Sequence, residues 1–218
     1  MEGMRPDLAR AELLVLNGDT FDFGWSQLPS EEASIAAAMQ WLHDLAEEFE
    51  GGEIHYILGN HDCLHSFRNA LDELVRTMPG VSSHEHQLRL GRHLFLHGDC
   101  ANRKMNGADL ARLREAWSRK KARTRAHAAL YGIIDALGIS RGFHRCYFPA
   151  RTSVKRVAHY LDQVMPGWRE DVDDCYFGHT HQPFRAHAFD GVRFHNSGSG
   201  IRGMDFQPVH FELNPGGN

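Results

Sequence analysis

Cysteine is scarce. The four residues, Cys63, Cys100, Cys146 and Cys175, show no C-x-x-C spacing. That excludes a zinc ribbon or a thioredoxin-type redox centre and makes a reduced, cytoplasmic setting the expectation. Long apolar runs are missing too. No stretch nears the ~20 residues needed to span a bilayer, and mean hydropathy is -0.46. The opening Met1-Glu2-Gly3-Met4-Arg5-Pro6-Asp7 has no apolar h-region, so no secretory signal is read there. The stretch from about 102 to 170 is neither a repeat nor of low complexity. The 218 residues can bury a sizeable core, and one domain over residues 1–218 is the simplest organisation.

What is plentiful is histidine, 16 in all, and charge that is unevenly spread. Between Arg103 and Arg156 stand 14 Lys/Arg and three acids (Asp109, Glu115, Asp135), a balance of +11; the remainder of the chain balances at -15. This basic block has several readings. It could grip a phosphorylated substrate through Arg103, Lys104, Arg145 or Arg151. It could be a solvated helix face, as for Arg119 to Arg125. It could form a nucleic-acid groove, or make peripheral contact with an anionic membrane surface.

Four short apolar runs each end in a polar cluster. Leu13–Leu16 leads into Asn17-Gly18-Asp19-Thr20-Phe21-Asp22, and Ile54–Leu58 into Gly59-Asn60-His61-Asp62. Leu94–Leu96 leads into His97-Gly98-Asp99, and Cys175–Phe177 into Gly178-His179-Thr180-His181. Continuous apolar runs of this length read as strands covered on both faces. Strands that finish in Gly and then Asp, Asn or His would gather carboxylate, amide and imidazole at one sheet edge. Such a mixed oxygen and nitrogen set suits a divalent transition metal without any thiolate.

Between these runs the pattern is helical. Ser30 reads as an N-cap, with Glu31 and Glu32 favouring the helix dipole; Ile35, Met39, Leu42, Leu45 and Phe49 recur at helical spacing up to Gly51-Gly52. Strand, helix and strand then make a βαβ unit. Ser66 is expected to cap a second helix. Gln87–Leu90 and His93–Leu96 read as a hairpin, and residues from about 102 to 170 as a helical insertion, with Ser153 opening its last helix. A further hairpin turns at Asp190-Gly191. Asn196-Ser197-Gly198-Ser199-Gly200 could turn its amides toward an anion. Val209–Leu213 reads as a final strand, and Met4–Ala11 as a short helical remnant.

The four motifs, in this order, resemble the calcineurin-like metallophosphoesterases, which carry GD-x-x-D, GNHD, a His before Gly, and GH-x-H. The resemblance implies a four-layer α/β/β/α sandwich, here with a helical cap beside the metal edge. It implies two divalent metals, manganese, iron or zinc, hydrolysing a phosphomonoester or phosphodiester. Asp19 matches the carboxylate shared by both metals; Asn60, His97 and His179 match the other ligands of one, and His181 a ligand of the other. His61 matches the general acid, with Asp62 expected to orient its imidazole. Asp22 and Asp99 are expected either to accept the second N–H of ligating imidazoles or to be plain loop carboxylates.

One element of the family pattern, a D-x-H ahead of GD-x-x-D that completes the other metal site, has no counterpart in Met1–Glu12. The expectation is a first strand encoded upstream of the assigned start. The alternative is a metal-binding protein without turnover. The insertion also loosely resembles that of the UDP-2,3-diacylglucosamine pyrophosphohydrolases, which would make the substrate lipid-linked.

Overall fold

The computed structural model describes residues 10–49, 51–119, 148–201 and 204–213. The 4–11 remnant (all but its last two residues), Arg145 and the centre of the basic block lie outside these. Two sheets organise the rest. The first is parallel, in the order β1 (Leu13–Asn17), β2 (Glu53–Ile57), β3 (Val81–His84). The second has the order β4 (Gln87–Leu90), β5 (His93–Leu96), β6 (Asp174–Phe177), β8 (Val192–Asn196), β7 (Phe184–Phe189), with β5, β6 and β8 parallel and the two outer strands antiparallel.

Strand alternation assigns each face its layer. Leu14, Leu16, Ile54 and Tyr56 pack against helices α1 (Glu31–Glu48) and α2 (His65–Thr77), through Leu42, Leu45, Phe67 and Leu71. Val15 and Ile57 face the other way, onto Leu88, Phe95 and Tyr176 of the second sheet. The outer face of that sheet, with Leu94, Leu96, Cys175 and Phe177, is covered by α3 (Gly107–Ser118) and α4 (Ala150–Val164) through Leu110, Val154, Val157 and Leu161. The result is the expected helix–sheet–sheet–helix sandwich. The described helices of the 102–170 segment supply its fourth layer as well as flanking the metal edge.

Several local expectations hold. Ser30 Oγ accepts from the Ala33 N–H at 3.1 Å. β1, α1 and β2 form the parallel βαβ unit. Asp190 and Gly191 both take positive φ (48° and 83°), the conformation of a two-residue hairpin turn.

Others are corrected. α2 begins at His65 with no side-chain cap; Ser66 Oγ instead donates to Glu31 Oε1 at 2.5 Å, tying the two helices together. α4 begins at Ala150, with Pro149 in the cap position and no side-chain cap, and Ser153 is buried inside the first turn. Strand β3, Val-Ser-Ser-His, carries no apolar run to announce it and exists by pairing with β2. Val209–Leu213 forms no strand. Val209 and Phe211 bury against the inter-sheet layer, but the segment is held by isolated contacts: Arg185 to the Pro208 carbonyl (2.7 Å) and His93 to the Glu212 carbonyl (3.1 Å).

Candidate metal centre

Because β1 and β2 run parallel, as do β5 and β6, all four motif loops leave from carboxyl ends of strands. That is where open α/β sheets place their ligands. The loops converge. His97 Nε2 lies 3.1 Å from Asp19 Oδ2 and 3.2 Å from His179 Nδ1. The ligand-type atoms of Asp19, His97 and His179 all fall within 4.8 Å of one another.

The backbone is bent to achieve this. Asp19, His179 and His181 occupy the left-handed region at φ 50°, 61° and 57°. For side chains with a Cβ this costs of order 1–3 kcal/mol each, strain that gathers at functional sites. Gly59 permits the closest approach: a Cβ there would sit 2.1 Å from Asp19 Oδ1 and 2.6 Å from the Asp19 amide. Gly18 does the same beneath the His97 ring.

The donor set fits a divalent ion. Asn60 is 3% exposed, and its Oδ1 is buried with no hydrogen-bond partner, an orphaned acceptor of the kind an ion resolves. Each imidazole of the cluster has its other nitrogen engaged: His97 Nδ1 lies 3.2 Å from the Asn17 carbonyl, and His179 Nε2 3.1 Å from Asn102 Oδ1. These contacts orient both rings toward Asp19. Burial alone would raise the Asp19 pKa, but the charge of His97 holds it below the ordinary carboxylate range. Burial, with His97 beside it, pushes His179 down to about 3 and so keeps it neutral, the form that binds metal.

His61 borders the same cleft, with its Nδ1 2.9 Å from Asp22 Oδ2. Burial opposes the charged ring, yet Asp22 and Asp19 together hold its pKa above the usual imidazole value. Asp22, not Asp62, therefore orients the imidazole. Asp62 is fully buried and faces away, accepting from the Gly59 N–H (2.6 Å), the Thr20 N–H (3.0 Å) and the Tyr56 hydroxyl (2.6 Å). It locks the β1 and β2 loops to each other. Burial and the neighbouring Asp19 raise it to about 6.

Asp99 departs from expectation as well. It makes a two-pronged pair with the buried Arg114, at 2.8 and 3.0 Å, and among the described residues it bonds no imidazole nitrogen. His181 lines the cleft beside His179. Arg103 is exposed and is not among the residues lining the cleft. Ser197–Gly200 form a wall of the cleft, and buried Asn196 behind them braces the histidine loop by donating to the Gly178 carbonyl (2.8 Å) and Thr180 Oγ1 (3.1 Å).

Sequence reasoning missed Asn17, Asn102, Arg114, Asn196 and Tyr56 as supports of the site. Asn102 is set by α4: Arg156 donates to the Ala101 and Asn102 carbonyls at 2.9 and 3.0 Å. Replacing Asn102 with alanine frees the far nitrogen of the His179 ring. We expect a roughly 10–100-fold loss of metal affinity with little change in fold, measured by competitive chelator titration alongside circular dichroism. Unchanged affinity would remove Asn102 from this role.

The sequence matches the calcineurin-like phosphoesterase family over residues 4–183. The chain belongs to that family, whose members are metal-dependent phosphoester hydrolases. The structure is also similar to the crystal structure of a phosphopantetheinyl hydrolase from Mycobacterium tuberculosis, at 12% identity and a TM-score of 0.41, covering 98% of this chain and 94% of that one. No curated protein matches the sequence significantly. Among the described residues, no helix is long and apolar enough to cross a membrane.

Proposed function

We propose that this chain hydrolyses a phosphomonoester or phosphodiester, with Asp19, Asn60, His97 and His179 holding one divalent ion and Asp19 and His181 contributing to a second. The observation that carries this reading is the convergence of Asp19, His97 and His179 beside the orphaned oxygen of Asn60. A divalent ion held there supplies charge neutralisation at the phosphoryl group and lowers the pKa of the attacking water. Oxygen and imidazole donors suit manganese, iron or zinc.

The protein's own groups do the rest. Asp22 holds His61 by Nδ1, so Nε2 carries the proton that passes to the leaving oxygen. Burial works against the charged ring, but Asp22 and Asp19 shift the His61 pKa upward, which favours the protonated form that an acid needs. The Asp62 brace fixes the loops that bear Asp19 and His61, so the acid and the metal ligands keep their spacing.

Stripping metal with a chelator is expected to abolish hydrolysis of bis-p-nitrophenyl and p-nitrophenyl phosphate. Adding back manganese, iron(II) or zinc should restore it, with metal content measured on the same samples. Turnover that persists in metal-free protein would defeat the proposal, and so would metal-loaded protein that hydrolyses neither ester.

A further inference from the structure

The wall beside His61 is aromatic. Trp117, near the end of α3, lies with its ring 4.5 Å from the His61 ring, centroid to centroid. Phe148 stands edge-on to His179 at 5.8 Å. Trp25, from the short turn Phe23–Trp25, lines the same cleft. Trp117 thus stands against the acid and Phe148 against one of the cluster imidazoles, while Trp25 lines the same cleft.

The rim continues the theme. Leu28, Ile201, Phe206 and Leu213 are the large hydrophobic residues most exposed among the described residues, at 42–48%. Three of them border this cleft, and Leu28 follows the bordering Gln27. Ile201 and Phe206 stand by the loop that walls the cleft, Phe206 bridged to Gly198 and the Ile201 N–H donating to Ser199 Oγ, and apolar exposure paired in this way marks a place where apolar matter docks.

We propose that the cleft selects a phosphoester whose leaving alcohol has an apolar body, aryl or long alkyl, bedded against Trp117, Phe148 and Trp25. This rests on the hydrolytic reading above. The leaving oxygen must come within reach of His61, and Trp117 lies directly against that ring. The body attached to the oxygen therefore passes along the aromatic wall toward the apolar rim. Trp117 is a specificity-determining residue in this scheme. The reaction is plain hydrolysis: the P–O bond to the alcohol breaks, water supplies the new P–O bond, and the alcohol leaves with the proton from His61.

A series of n-alkyl monophosphates from ethyl to octyl tests this, assayed below micelle-forming concentrations on manganese-loaded full-length chain. The leaving-group pKa is nearly constant along such a series, so chemistry cancels and only contact with the wall varies. We expect kcat/KM to rise roughly two- to fourfold per methylene over the first several carbons, as burial of each one predicts. In Trp117→Ser the octyl-to-ethyl ratio should collapse toward one; a ratio within each protein cancels any change in His61 itself. Measurable hydrolysis with a flat or falling series overturns the proposal, as does a slope that Trp117→Ser leaves intact. No turnover of any ester, p-nitrophenyl phosphate included, overturns the hydrolytic reading and this proposal with it.

Discussion

His61→Ala is expected to lower turnover by roughly 10²–10⁴-fold, the usual contribution of a positioned acid, while the protein keeps its metal. The separation follows from which atoms do what. The His61 backbone N–H donates to Asp19 Oδ1 at 2.7 Å, and that contact survives loss of the ring. Asp19 therefore stays in place, as does Asn60, which precedes the substitution. The deficit should also depend on the leaving group. An alkoxide needs a proton far more than p-nitrophenolate does, so alkyl phosphates should suffer most. Asp22→Asn should cause a smaller fall in the same direction, because the ring keeps a neighbour but loses the charge that favours its protonated form. Turnover measured with metal analysis decides the matter: metal lost in step with activity would show that the ring serves the ions and not the proton.

Arg114→Ala should destabilise the fold by about 3–5 kcal/mol, the cost of leaving one member of a buried ion pair unpaired. Arg114 is 6% and Asp99 1% exposed. The guanidinium grips both Asp99 carboxylate oxygens, and it also donates to the Glu85 carbonyl in the turn between β3 and β4. Its own carbonyl accepts from Cys63 Sγ at 3.3 Å, three residues beyond Asn60. Burial by itself would push the Asp99 pKa up; Arg114 holds it below the ordinary range. Urea unfolding of the variant should therefore show a much lower midpoint. Pairing Arg114→Met with Asp99→Leu should recover most of the loss, since a well-packed apolar pair avoids the uncompensated charge. A single-variant cost below about 1 kcal/mol, the range of exposed pairs, would contradict the reading.

The metal edge was legible in the sequence because its signal is local. An apolar run followed by Gly and a donor residue encodes both the strand and the loop that ends it, and Asp19, His97 and His179 were readable one motif at a time. The supports were not. Arg114 is one of many basic residues in its block, and only the packing of α3 on the second sheet makes it the partner of Asp99. Asn102 has no neighbouring pattern to mark it and acts because Arg156 fixes its backbone. The Asp62 assignment failed for a related reason. Adjacency in Asn60-His61-Asp62 suggests that the carboxylate serves the imidazole beside it. In a tight turn, though, successive side chains point apart, and Asp62 turns inward to Tyr56. Helix starts were misread where Pro149 or Leu64 replaced the expected hydroxyl caps. The final strand was misread because alternating burial was present without a ladder partner.

The centre draws Asp19 and Asn60 from one sheet and His97 and His179 from the other. An ion bound there would rivet two slabs that also meet along the greasy seam of Val15, Ile57, Leu88, Phe95 and Tyr176. Ion capture and the seating of the slabs are then a single thermodynamic event. Whatever pries the seam apart weakens the grip on the ion, and the ion in turn resists the prying.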